Sequence, residues 1–185
     1  MKPAIFLDRD GTINADSGYV SRVEKLTFLE GAIDGLKLLS GASFLLVVIT
    51  NQGGIARGYH SVADVHRFHQ EMDRVLEFSG VTIASFFHCP HHPDGVVVEY
   101  SHECECRKPG LALYREAIAA HGIDVSRSHA IGDNVSDLIG PDELGVPGLW
   151  LIGDDQKEVP GHTTARINPV LGLLSAARSI TGVAK

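Results

Sequence analysis

Phe6-Leu7-Asp8-Arg9-Asp10-Gly11-Thr12-Ile13-Asn14 is the stretch on which the reading of this chain turns. It grows out of a short apolar run, Ala4–Leu7, that stops abruptly at a carboxylate. An uninterrupted run of this length is the pattern of a strand buried on both faces, and the polar cluster sits where such a strand ends. Phe44–Ile49 is a second run of the same kind, and Val81–Phe87, Ala130–Ile131 and Leu149–Ile152 follow the pattern less cleanly. Amphipathic segments with helix punctuation lie between them. Ser61-Val-Ala-Asp64 reads as a capping box, with Val65, Phe68, Met72 and Val75 behind it and Gly80 as the stop. Pro109 opens another helix carrying Leu111, Tyr114 and Ile118, closed by Gly122, and Asn168-Pro169 starts the last, with Val170, Leu173, Leu174 and Ala177. This alternation predicts an α/β fold: a three-layer, Rossmann-like parallel sheet with helices on both faces and right-handed crossovers. Ligands of such sheets bind beyond the carboxyl ends of the strands, so the residues just after each strand are the candidates for function.

Composition bounds the rest. The 185 residues, 44% of them apolar and 21% charged, make one domain spanning 1–185 with a substantial core. A net charge of −7 offers nothing to nucleic acid or an anionic membrane. No apolar run approaches the ~18 residues of a membrane span, and the four residues before Asp8 are too few for a signal peptide. The expectation is a cytoplasmic monomer.

The strand ends read, in order, Asp8-Arg9-Asp10-Gly11-Thr12, Thr50-Asn51-Gln52, Lys108-Pro109, and Gly132-Asp133-Asn134 with Asp137. Any one of these is ordinary in a turn or a helix cap. Two carboxylates at i and i+2, a hydroxyl, a lysine and a further acidic cluster, all facing one crevice, are a catalytic set. Phosphate-monoester hydrolysis needs such a set, because rate gains near 10²¹ correspond to roughly 29 kcal/mol and one donor supplies only about 3–4. Asp8 is the candidate nucleophile, giving an aspartyl-phosphate, and Asp10 the acid that protonates the leaving alcohol and then deprotonates water. These roles require Asp10 partly protonated and Asp8 ionised. Mg²⁺ between Asp8, the Asp10 carbonyl and Asp133 would relieve repulsion between carboxylate and phosphate, while Thr50 and Lys108 hold the phosphoryl oxygens. A stored-phosphoryl switch domain also combines an acceptor Asp, a Thr and a Lys. Asp10 discriminates, since an acid/base is needed only for turnover.

The three cysteines, Cys89, Cys104 and Cys106, fall within eighteen residues, and His88, His91, His92 and His102 lie in or beside the same window. An odd number in a reducing compartment argues against a disulfide framework. Cys89-x-His91, twelve residues, then Cys104-x-Cys106 supplies the three thiolates and one imidazole of a closed, structural Zn²⁺ site, with His92 as the alternative to His91. An inert buried cysteine trio or a Cys104/Cys106 redox pair are the competing readings. Arg107 and Lys108 follow the last ligand directly, so folding the loop 88–107 around zinc would aim both cations.

Asp-x-Asp-Gly-Thr, then Thr50, Lys108 and Gly-Asp-x-x-x-Asp resembles the haloacid dehalogenase superfamily of phosphatases, in the expected order over positions 8–137. Phe6–Asn14 and Thr50-Asn-Gln-Gly-Gly-Ile-Ala-Arg-Gly58 are similar to the D-glycero-D-manno-heptose-1,7-bisphosphate 7-phosphatases and the related histidinol-phosphate phosphatases. The long gap between the ligand pairs resembles the heptose group, which implies removal of the 7-phosphate of a heptose bisphosphate on the way to bacterial envelope glycans. A histidinol-phosphate or other small-molecule phosphatase is the alternative. The resemblance implies substrate contacts from Arg9, Asp16, Ser17, Gly18, Tyr19, Asn51, Gln52, Gly53, Arg107 and position 134, where Asn134 stands in place of the usual cation. Neither Ile13–Ser43 nor Asn51–Arg107 has room for a cap domain, so the site is expected to be open. Gly140-Pro141 predicts a break in the helix after Asp137.

Overall fold

In the computed structural model, which describes residues 1–153 and 166–183, the run Ala4–Leu7 is a strand, β1, buried along its whole length. The chain continues through α1 (Ala32–Gly41), β2 (Leu45–Asn51), α2 (Val62–Phe78), β3 (Ser85–Cys89), α3 (Ala112–His121), β4 (His129–Gly132), α4 (Ser136–Glu143), β5 (Gly148–Ile152), β6 (Ile167–Val170) and α5 (Leu173–Thr181). The strands form one parallel sheet in the order β3-β2-β1-β4-β5-β6. Winding proceeds outward from β1 in one direction, then restarts at β4 on its other side. The loops after β1 and β4 therefore diverge, and the crevice between them is where a ligand fits.

Alternation along each strand gives the sheet its two cores. Ile5, Leu7, Leu46 and Val48 pack with Leu36 and Leu39 of α1, Phe68 and Met72 of α2, and Leu173 and Ala177 of α5. Ala4, Phe6, Val47 and Ile49 meet Leu113, Tyr114 and Ala117 of α3 and Leu138 and Ile139 of α4 on the other face. The capping box of α2 is made as expected: the Asp64 amide donates to Ser61 Oγ at 3.1 Å and the Ser61 amide to Asp64 Oδ2 at 2.7 Å. Among the described residues, no helix is long and apolar enough to cross a membrane.

Four local expectations are corrected. Strand β2 runs two residues past the apolar run, because Thr50 and Asn51 still pair with His88 and Cys89 of β3. Strand β3 itself lies later than Val81–Phe87 and ends on the first cysteine. Asn168-Pro169 does not open a helix but lies within β6, an edge strand, where a proline costs no ladder bond on its open side. Pro109 stands in the turn before α3, which begins at Ala112.

Helices α1 and α5 approach so closely at Gly35 that a Cβ there would lie 2.5 Å from Leu173 Cδ2 and 3.0 Å from the Leu173 carbonyl. Alanine would favour the helix by about 1 kcal/mol. The clash is with backbone as well as side chain, and overpacking costs about 1–3 kcal/mol. Gly35→Ala is therefore expected to lower the denaturation midpoint, and an increase would show that the two helices can separate freely.

Candidate active site

Lys108 anchors the crevice. Its ammonium is almost fully buried, and its three protons have three acceptors: Asp8 Oδ1 at 2.5 Å, the Ile49 carbonyl at 2.8 Å and Asp137 Oδ1 at 2.7 Å. Burial opposes the charge, but Asp137 and Asp8 outweigh it and hold the lysine far above its usual pKa. The Lys108 backbone is held as firmly, since Asn51 at the end of β2 accepts from its amide at 2.9 Å and donates to its carbonyl at 3.2 Å.

Asp8, Asp133 and Asp137 place carboxylate oxygens within 4.8 Å of one another. Burial pushes the Asp8 carboxyl well above its ordinary range, against the pull of Lys108, and burial followed by Asp137 raises Asp133 to about 6. Burial and the neighbouring carboxylates thus work against Lys108 at Asp8. A hard divalent cation suits the oxygen donor set and would relieve the repulsion. Gly11 is required for the approach: its φ is +82°, and a Cβ there would stand 2.2 Å from Asp133 Oδ2.

Asp10 is oriented from beneath. Arg9 is completely buried and grips its carboxylate, Nη2 lying 2.9 Å from Oδ1 and 2.7 Å from Oδ2, with Nε at 3.0 Å from Oδ1. Asn14 donates to Oδ1 at 2.9 Å and Gln52 to Oδ2 at 2.8 Å, the same amide reaching Thr50 Oγ1 at 3.0 Å. Each of these partners donates, so the carboxylate is held at both oxygens. Arg9 in turn bonds the Val20 carbonyl at 2.8 Å and His69 Nε2 at 3.1 Å, and lies 4.6 Å from the Phe68 ring centroid. Its side chain does not line the cleft and serves as an internal clamp.

The cleft has a volume of about 450 Å³ and draws Asp8, Asp10, Thr50, Lys108 and Asp133 to one surface. Asp16, Gly18 and Tyr19 wall it on one side and Asn51, Gln52, Arg107 and Asn134 on the others, whereas Ser17 and Gly53 do not reach it. Gly53 lies under the Arg107 guanidinium, where a Cβ would be 3.2 Å from Nη1. Tyr19 stacks obliquely on Tyr59, ring centroids 4.7 Å apart. Ser136 and Asp137 complete the lining; the sequence places Asp137 in the acidic cluster of the catalytic set without a separate role and does not single out Ser136. Ser136 carries no signal in one sequence. Asp137 did, since its spacing from Asp133 marks one face of a helix start.

Beyond β3, Cys89 Sγ lies 3.5 Å from Cys104 Sγ and 3.2 Å from Cys106 Sγ, which are 3.1 Å from each other. His91 Nδ1 faces the cluster at 3.2 Å from Cys106 Sγ and 3.7 Å from Cys89 Sγ. Tetrahedral bonds of about 2.0–2.3 Å separate their ligand atoms by about 3.4–3.8 Å, so the four donors fit one closed metal site. His92 turns away, to Arg57 Nη2 at 3.1 Å and the Asp94 amide at 3.1 Å. Of the two histidines, His91 is the one that joins the cysteine cluster.

Residues 105–169 match the HAD-hydrolase-like family. The chain is 42% identical over 152 residues to the D-glycero-β-D-manno-heptose-1,7-bisphosphate 7-phosphatase of Haemophilus ducreyi, covering 82% of this chain and 83% of that one. It is 43% identical over 136 residues to the protein of that name from Escherichia coli K12, covering 74% and 71%. The D,D-heptose 1,7-bisphosphate phosphatase of B. bronchiseptica, solved with magnesium and phosphate, superimposes with a TM-score of 0.83 at 30% identity over the whole of both chains.

The clamp under Asp10 makes the fold acid-sensitive. Burial, then the Arg9 cation and the neighbouring His88 and His66, depress His69 to about 2. The unfolded chain takes up that proton near pH 6.5 and the folded one does not, so stability falls as pH drops below 6.5. From pH 6.5 to 4.5 this one residue is expected to remove about 2 kcal/mol. Chemical denaturation across that range should show a shallower fall in His69→Gln, and identical slopes would mean that His69 accepts the proton within the fold.

Proposed function

Since this chain belongs to the HAD-like family of D-glycero-D-manno-heptose-1,7-bisphosphate 7-phosphatases, we propose that it removes the 7-phosphate of that sugar bisphosphate by way of an aspartyl-phosphate. The observation that carries this reading is the convergence of Asp8, Asp10, Thr50 and Lys108 on one cleft whose wall bears Arg107. Asp8 attacks phosphorus and forms the acyl phosphate. Asp10 gives a proton to the departing sugar oxygen and later takes one from the attacking water. Thr50 and Lys108 bind the equatorial phosphoryl oxygens, Lys108 exchanging its contact with the Asp8 oxygen for one with the phosphoryl group. Asp8, the Asp10 carbonyl and Asp133 would hold Mg²⁺, which would offset the charge between carboxylate and phosphate. Asp137 keeps Lys108 in place from behind.

Arg107 is the group for the second phosphate. It stands beside Lys108 in sequence, lines the cleft, and donates to the His91 carbonyl at 3.3 Å. Asp16, Gly18 and Tyr19 are proposed to hold the sugar, and Asn51 and Gln52 to act chiefly by fixing Lys108 and Asp10. Cys89, His91, Cys104 and Cys106 are proposed to hold Zn²⁺ as a structural ion, since four protein donors leave no position for substrate. Three free thiols fit the reducing cytoplasm, where the bisphosphate would be dephosphorylated.

Phosphate release from heptose 1,7-bisphosphate, heptose 7-phosphate and histidinol phosphate tests the assignment. The bisphosphate should have a kcat/KM roughly ten- to a hundredfold higher, the worth of one charge-assisted contact, and Arg107→Ala should erase most of that margin. Asp8→Asn should release no phosphate. Equal kcat/KM for the bisphosphate and histidinol phosphate would overturn the substrate, and an active Asp8→Asn the mechanism.

Zinc should copurify at about one equivalent, and Cys106→Ser should lose it together with several degrees of melting temperature. Turnover should still require added Mg²⁺. Full activity restored by zinc alone would end this division of labour.

A further inference from the structure

Gly140-Pro141 does not break the helix. Both residues lie inside α4, and Pro141 occupies its sixth position. A residue there would ordinarily give its amide to the carbonyl of Asp137, four residues earlier; proline has no amide proton. The orphaned carbonyl is filled from another element. Tyr114 of α3 donates its hydroxyl to the Asp137 carbonyl oxygen at 2.9 Å. Its ring is only 2% exposed and stands edge-on to Phe6, centroids 5.6 Å apart. Gly140 makes the reach possible, since a Cβ there would lie 2.9 Å from Tyr114 Cε2 and 3.1 Å from the Pro109 carbonyl. Proline removes the donor, glycine leaves the room, and tyrosine supplies the replacement.

The residue so held is the one behind the catalytic lysine. Asp137 Oδ1 pairs with Lys108 Nζ at 2.7 Å, and its Oδ2 accepts from the Asn134 amide at 3.0 Å. We propose that Tyr114 is a positioning residue for the reaction: its hydrogen bond fixes the first turn of α4, and through Asp137 the place of the Lys108 ammonium. Nothing in the phosphatase motifs assigns it this role, and it acts only through Asp137. The inference rests on the phosphatase reading for its effect on turnover, but not for its effect on phosphate binding.

Four proteins test it: the parent, Tyr114→Phe, Pro141→Ala and the double variant. Each is assayed at 20 °C for phosphate release, and titrated by calorimetry with inorganic phosphate in the presence of Mg²⁺. Tyr114→Phe should lower kcat about tenfold with a smaller change in KM, and weaken phosphate binding by a similar factor. Pro141→Ala restores a backbone donor to the Asp137 carbonyl, so it should stay within about twofold of the parent, and the double variant should recover to within about threefold. A Tyr114→Phe protein that melts earlier yet turns over normally at 20 °C would overturn the proposal, as would a double variant as impaired as Tyr114→Phe. If Tyr114→Phe does not fold, the comparison of the double variant with Pro141→Ala decides: a tenfold gap there overturns the coupling. A parent that releases no phosphate, with the binding pattern intact, would overturn the phosphatase reading and leave Tyr114 its role.

Discussion

One buried ammonium ties the active centre together. Lys108 touches the end of β1 through Asp8, the β2 backbone through Ile49, and the first turn of α4 through Asp137. Taking such a charge out of water costs several kcal/mol, and it is tolerated because all three of its protons are bonded and two of its partners are anionic. The arrangement is therefore stiff. Removing any partner leaves a charge stranded, so the loops after β1 and β4 cannot drift apart without a large loss. The flat crevice of a parallel sheet becomes a site with fixed coordinates.

A second buried cation does the same work one layer down, by different chemistry. Lysine suits the cleft because a compact charge can meet acceptors from three directions. Arginine suits the space below Asp10 because its planar fork can span both oxygens of one carboxylate while a third edge rests against His69. Asp8 and Asp10, the proposed nucleophile and acid/base, thus each have their own cation. Gln52, bonded to Asp10 and Thr50, is the bridge between the two assemblies. Arg107, by contrast, has no carboxylate partner among the described residues and lines the cleft, which is why it is proposed for the second phosphate.

The sheet was legible because its information is local: continuous apolar runs, a capping box at Ser61 and a left-handed glycine at Gly122 are written in adjacent residues. The ends of those runs also located Asp8, Thr50 and Asp133. Strand β6 escaped because an edge position removes the penalty that makes Asn-Pro look like a helix start. The internal contacts of Arg9, Asn51 and Gln52 escaped for another reason. Polar residues beside catalytic ones read as ligands for substrate, and only three-dimensional contacts reveal that they also bond the protein's own groups. The uninterrupted α4 is the same lesson: a proline inside a helix is punctuation only when no distant donor answers for it, and Tyr114 lies outside any local window.

Several of the pairs that join the parts of the active centre are long-range. Asp8 and Lys108 are separated by 100 residues, Arg9 and His69 by 60, Asn51 and Lys108 by 57, and Gln52 and Asp10 by 42. Each pair waits on loop closures that a partly folded chain has not made. Helices can form early, but Asp8 facing Lys108 requires β1, β2 and the segment before α3 to be in register together. Recovered turnover during refolding is consequently a clock for completion of the sheet, and a chain arrested at any earlier stage carries every catalytic residue and no catalyst.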